Sequence, residues 1–356
     1  MHARPFHAIL ILCLLTAPAL GQGGQEKIAS DIGRRVFERY VSPALEGFRQ
    51  TSGALSFSLA NLCAGTGNAD IEETQARFAD TLAAFAQIYV LRFGPLVEDN
   101  RFERIFFWPD PRGVTLRQVQ ALLASDDPLP DKLAGQSVAL QGLPALDFVL
   151  FGSGADALSK DEKRCSYAQA IAANIADLAK ALDNAWQDGS AFHTAFTAPA
   201  SDRDPYRSKA EVAGEIVKAA GTALEFARNA ELLPALGNTA EKARGKRAPF
   251  WRSRQTFSFV AAQIEGVRNL VTAAGFVDGP STLVNGYGRA MAFDLANARK
   301  ALLSVDTEPE RAFSRGEERD RISYASIAME GAKETLNGEL SGALGLVMGF
   351  NALDGD

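Results

Sequence analysis

Histidine is scarce in this sequence, with three in 356 residues, at positions 2, 7 and 193. Zinc-peptidase helices need two imidazoles one helical turn apart, and no such pair exists here. A Ser-His-Asp hydrolase could use a single histidine. The chain, however, has no Gly-x-Ser-x-Gly elbow and no alternating β-branched run to supply the strand beneath one. "FGSGA" places Ser153 in a helix-ending turn, where it reads more simply as part of a cap. A phosphate-binding glycine loop of the P-loop kind is also missing. No apolar stretch reaches the roughly 20 residues that a membrane-spanning helix requires. The formal net charge of −6 offers no basic face to a nucleic acid.

The first 22 residues, "MHARPFHAILILCLLTAPALGQ", have their own organisation. Arg4 supplies a basic start, Ala8 to Leu15 an apolar core, and Ala17, Ala19 and Gly21 small residues at the end. That is the layout of a secretory signal peptide cleaved after Ala19 or Gly21, and it predicts a periplasmic or secreted protein. Cys13 lies inside the apolar core, away from a lipid-attachment position. Cleavage removes His2, His7, Arg4 and Cys13, leaving His193, Cys63 and Cys165. His193, in "SAFHTAF", reads as structural. Two cysteines in an oxidising compartment predict one disulfide, Cys63–Cys165, with two separate buried thiols as the alternative. A metal site built on the two thiols lacks the histidines to complete it.

What remains is rich in helix formers, with 47% hydrophobic and 22% charged residues. In "KIASDIGRRVFERYV", Ile28, Ile32, Val36 and Tyr40 fall four apart on one helical face, with Pro43 expected to kink the helix just beyond. "ADIEETQARFADTLAAFAQIYVLRFG" repeats the pattern through Ile71, Phe78, Leu82, Phe85 and Tyr89 and stops at Gly94-Pro95. "DEKRCSYAQAIAANIADLAKALDNAW" predicts a third long helix opened by acids. Between the second and third lies "RFERIFFWPDPRG", an irregular loop with aromatics at 102, 106, 107 and 108. Short helices are expected near 116–123 and 133–140. After a Pro-containing break at 197–207, further helices are expected at about 207–233, 254–273, 288–304 and 318–349. The fold class expected is all-α, with two antiparallel helical-bundle domains at 23–197 and 198–356 following the 1–22 leader. Gly338, Gly342, Gly345 and Gly349 share one face of the last helix, which predicts close approach of another backbone there.

One acid stands out. In "GLPALDFVLFG", Pro144 suits the first turn of a helix running to about Phe151, and Asp147 falls one turn further on among apolar residues. Two readings stay open on the residues alone. Asp147 complements the helix dipole, or it is a partly buried acid whose affinity for a proton or a metal is tuned by an apolar pocket.

The exported start, "FGPLVEDNRFERIFFWPD", the Gly142–Gly152 segment, "RAPFWRS" and the closing "GFNALDGD" together resemble the imelysin-like family, the group of insulin-cleaving metallopeptidases and iron-regulated periplasmic proteins. The resemblance implies two helical bundles with a site between them. The family motif, Gly-x-His-x-x-Glu, puts a histidine and a glutamate on one helical face. Here Gly142 keeps the first position, Pro144 stands at the histidine position and Asp147 at the glutamate position. Asp147 is therefore the candidate metal and ligand residue, with Trp108, Asp110, Arg101 and Arg104 as candidate ligand-binding partners from the matching loop. An oxygen-only site of this kind would take iron or calcium in preference to zinc. The expectation is an exported, non-catalytic metal- or ligand-binding protein linked to iron acquisition. Its partners would be a metal ion or small ligand and an envelope protein, with no nucleic acid and no transmembrane segment. The alternatives are a divergent metallopeptidase and a helical interaction module with contact surfaces at Phe106–Trp108 and Phe250–Trp251.

Overall fold

The computed structural model describes residues 28–66, 70–130 and 132–346. The expected signal peptide (1–22) and the closing "GFNALDGD" lie outside the described residues. Among those described there is no strand, and the fold is all-α as expected.

Local chemistry sets the helix starts. Asp70 accepts from the Glu73 N–H at 2.7 Å and opens the helix Ile71–Ile88, whose first turn carries Glu72 and Glu73. Asp161 does the same for Glu162–Ala185 through the Arg164 N–H, and Ser208 for Lys209–Phe226 through the Glu211 N–H. The helix Thr282–Leu303, opened by Ser281, begins six residues before the expected start at 288. Gly286 and Gly288 weaken the helical signal there, but Gly288 serves packing. A Cβ at 288 would lie 2.0 Å from the Phe276 carbonyl oxygen. The first helix, Ile32–Val36, passes through a π-helical stretch, Phe37–Val41, into Ser42–Ala64. Pro43, which has no N–H to donate, sits just beyond the π-helical stretch. The expected helix near 133–140 resolves into two short 3₁₀ turns, Leu133–Gly135 and Val138–Leu140.

The helix Ser42–Ala64 packs against Ile71–Ile88 and Glu162–Ala185. Thr282–Leu303 packs against Thr256–Ala273 and Gly316–Thr335, and Lys209–Phe226 joins the same group. The two groups meet where Ile71–Ile88 lies against Thr256–Ala273. Aromatic rings fill that seam: Phe85 stacks on Phe259 at 6.4 Å, and Phe106 on Phe250 at 5.5 Å. One continuous apolar core therefore runs from Ile28 to Leu344. The disulfide Cys63–Cys165 forms, joining the end of one packed helix to the start of its neighbour.

One expectation is overturned. A Cβ at Gly338, Gly342 or Gly345 would meet nothing within 4 Å, and all three residues are exposed. No described backbone approaches this face. Gly345, at φ 72°, instead takes the left-handed turn that ends the helix Ser341–Leu344.

Candidate functional site

Gly142 is where the site begins. It precedes the helix Leu143–Phe151, and its Cα packs so closely on the preceding segment that a Cβ would lie 2.3 Å from the Ile105 carbonyl oxygen. Only glycine fits, so the start of this helix sits directly on the end of the helix Arg101–Ile105. Pro144 occupies the first turn, and the next turn presents Asp147 inward, 2% exposed.

Asp147 is thus a buried acid and not a wet helix-start charge. It lines a cavity of about 190 Å³ together with Trp108, Thr115, Phe148, Trp251 and Arg252. The Ser253 N–H donates to its Oδ1 at 3.3 Å. Burial pushes its pKa up to about 6, against the lowering effect of Ser253 and of the Arg252 charge. Arg252, half-buried, is itself held below its ordinary value by burial, while Asp147 pulls it the other way. The Arg252 guanidinium lies over the Trp251 ring at 4.5 Å and over Phe148 at 5.4 Å. At the rim, Lys246 lies 5.0 Å from the Trp251 centroid and pairs with Glu310 at 3.1 Å.

The segment carrying Arg252 is held in an uncommon conformation. Phe250 and Arg254 both have positive φ, 55° and 61°, and the Gln255 N–H closes the turn onto the Phe250 carbonyl at 3.0 Å. Such residues cost on the order of 1 kcal/mol each and gather at functional sites. The Phe250 ring is anchored in the core against Phe106 and Phe259, which keeps the turn in place.

The structure brings some of the expected site residues together and not others. Trp108 forms one wall, fixed by its indole N–H donating to the Ala230 carbonyl at 2.9 Å. Asp110 also lines the cavity, but both its oxygens are used on the Val114 and Thr115 N–H groups, at 2.7 and 2.8 Å. It is a cap for the helix Val114–Ala124. Arg101 lies outside the cavity lining, bound to Glu98, Asp99 and the Pro95 carbonyl. Arg104 also lies outside, bridging Gln141 Oε1 at 3.0 Å and Asn174 Oδ1 at 3.2 Å. It braces the residue before Gly142 and does not face the cavity. His193 is buried against Phe37 with Asp188 3.6 Å away, a structural placement. The sequence reading missed Thr115, Lys246, Arg252 and Ser253, of which Arg252 and Ser253 lie in "RAPFWRS", a segment already conspicuous for its aromatics.

The donor set does not fit a metal held by the protein alone. Asp147 is the one cavity carboxylate not already spent on a helix end, and a guanidinium stands beside it. Among the described residues no group of three or more His, Cys, Asp or Glu side chains could hold an ion. What the cavity can do is surround a small organic ligand with aromatic walls and offer it a buried acid and a cation at one end.

Known proteins of similar structure share the whole architecture. An imelysin-like protein from Psychrobacter arcticum 273-4 superposes with a TM-score of 0.73 over 91% of this chain and 98% of its own, at 17% identity. A protein named as an iron-regulated protein A precursor, from Parabacteroides distasonis ATCC 8503, gives 0.71 over 88% and 94%, at 11% identity. At these identities the likeness is one of fold. No curated protein matches the sequence. The family model described as Imelysin matches residues 41–325, most of the chain, and the protein therefore belongs to the imelysin family.

Proposed function

We propose that this is an exported, non-catalytic imelysin-family protein that binds a small ligand in the Asp147 cavity, in the service of iron acquisition. The observation that carries the reading is the buried carboxyl of Asp147. It is enclosed by aromatic walls and sits beside the Arg252 cation, without the second and third donors that a hydrolytic metal would need. The link to iron rests on the name of the Parabacteroides distasonis structure and on the family resemblance, and export on the layout of residues 1–22.

The chain contains three tryptophans, and two of them, Trp108 and Trp251, line the cavity. Ligand binding should therefore change the intrinsic fluorescence of the mature protein. The expected result is a saturable change on titration with ferric citrate, lost in Trp251→Ala and shifted at least several-fold in Asp147→Asn, with no hydrolysis of a peptide substrate. Stoichiometric iron or calcium retained by the purified protein and absent from Asp147→Asn would replace this reading with a resident metal site. If ferric citrate, benzoate, sulfate and benzylammonium all leave both the fluorescence and the melting temperature unmoved, the cavity is not a ligand site.

A further inference from the structure

Arg252 presents an unusual combination. Its guanidinium is half-buried, lines the cavity and stacks on Trp251 and Phe148, yet among the described residues it makes no hydrogen bond and no ion pair within 4 Å. An arginine carries five N–H donors in a planar fork matched to a carboxylate or phosphate. Here those donors stand in a partly desolvated site, with the guanidinium carbon 4.5 and 5.4 Å from two ring centroids, so the side chain is already packed before an anion arrives. In the same cavity wall Thr115 is 8% exposed, and its Oγ1 is buried without a partner although its backbone N–H is used by Asp110. A buried hydroxyl left unpaired is costly unless something else completes it. A guanidinium without an acceptor thus stands in a cavity with aromatic walls, and one of the residues lining that cavity carries a hydroxyl without a partner.

We propose that the cavity takes an organic acid with a flat apolar body, its carboxylate held by the Arg252 fork and the Thr115 hydroxyl, its ring against Trp108 and Trp251. This rests on the cavity being the ligand site and adds the charge and shape of what enters it. Asp147 then has a defined part. Ionised, it competes with the ligand for Arg252 and repels it. Protonated, it stops repelling the anion and can donate a hydrogen bond. The other charged groups near this end of the cavity are Lys246 at the rim, paired with Glu310, Asp110, committed to its two backbone N–H groups, and Arg164, outside the lining with its guanidinium 5.9 Å from the Phe148 centroid. None of them replaces Asp147 as the group whose proton is coupled to binding. Anion binding therefore takes up one proton. Affinity should rise as pH falls, by up to about tenfold per pH unit above the Asp147 pKa, and level off below it.

Three probes separate the possibilities by calorimetric titration of the mature protein between pH 5 and 8. They are benzoate, sulfate and benzylammonium, each of constant charge over that range. Benzoate should bind, more tightly at low pH. Arg252→Gln should weaken it by about tenfold or more, as for loss of a charge-assisted fork. Thr115→Val should weaken it less, and Asp147→Asn should bind it with an affinity that no longer depends on pH. Melting temperatures of the variants check that each remains folded, and the pH profile of the unaltered protein stands whatever they show. Sulfate binding as tightly as benzoate would overturn the aromatic-acid assignment. Benzylammonium binding in preference, with affinity rising as pH rises, would overturn the anion site while leaving the cavity as the ligand site. Failure of all three probes and of ferric citrate would remove both proposals together.

Discussion

Glu231 is an acid with no contact to water, 0% exposed, lying on the π-helical stretch Ala227–Leu232. Gln263 Nε2 donates to its Oε1 at 3.0 Å, and Tyr89 and Arg92 face the same carboxyl. Burial raises its pKa from 4.5 to about 8, against the lowering effect of those three neighbours. The folded state therefore holds a proton that the unfolded chain gives up above about 4.5. Stability from this group is fully present below that value and is lost as pH rises towards 8, on the order of a few kcal/mol in all. Asp147 acts in the same direction over a lower window, between its ordinary 3.8 and about 6. Glu231→Gln should leave the melting temperature near pH 5 almost unchanged and raise it at pH 8, flattening the alkaline side of the stability profile. Thermal unfolding of both proteins across pH 5–9 tests this, and an equal shift at both ends would show that ionisation is not the cause. Nothing in the stretch "ARNAELLPALG" announces the burial of Glu231, because its partner Gln263 lies 32 residues downstream. The same limit applied to Arg252, whose neighbour Asp147 is brought to it only by tertiary packing.

The helix Leu143–Phe151 shows what the sequence could and could not specify about an element. Pro144 and the bounding glycines marked its ends, and the inward acid was visible as an exception in an apolar run. The use of Gly142 was not visible, since it depends on the carbonyls of Arg104 and Ile105 lying against its Cα, at 2.7 and 2.3 Å from an added Cβ. Both obstacles are backbone atoms, which cannot rotate away. Gly142→Ala should therefore push the helix start off its seat, costing roughly 1–3 kcal/mol in the manner of an overpacked core and weakening the cavity with it. The glycines of the last helix are the opposite case. The spacing of Gly338 and Gly342 looked like a packing face, and a one-dimensional pattern cannot distinguish a face that admits a neighbour from one that meets solvent. With open space around both positions, Gly338→Ala and Gly342→Ala should each stabilise the protein by up to ~1 kcal/mol through the unfolded chain. Denaturant midpoints of the three variants form a single test. Loss of stability at Gly338 would show that this face is covered after all.

At the scale of the molecule, the helical period fixed the fold class, because "ADIEETQARFADTLAAFAQI" and its counterparts bury one face each and leave no alternating pattern for a sheet. The seam between the two helix groups was not legible, since Phe85–Phe259 and Phe106–Phe250 are pairings across well over a hundred residues. The disulfide was legible for a simpler reason: once residues 1–22 are set aside only two cysteines remain. Its place in the structure separates stability from binding. Cys63 and Cys165 enclose 102 residues of sequence separation, and that span contains Trp108, Thr115 and Asp147, while Trp251, Arg252 and Ser253 lie beyond it. The bond ties the helix Ser42–Ala64 to Glu162–Ala185 and does not border the cavity. In the chain-entropy account, closing a loop of this size removes up to about 4–5 kcal/mol of freedom from the unfolded state. Paired Cys63→Ser and Cys165→Ser substitutions, or reduction of the native protein, should accordingly lower the melting temperature by several degrees. Benzoate affinity well below the transition should stay within about twofold, because both cavity walls are held by packing at the seam. A fall in affinity as large as the fall in stability would show that the seam does not hold the walls in register by itself, and that the cross-link between the first helices is part of how the site is positioned.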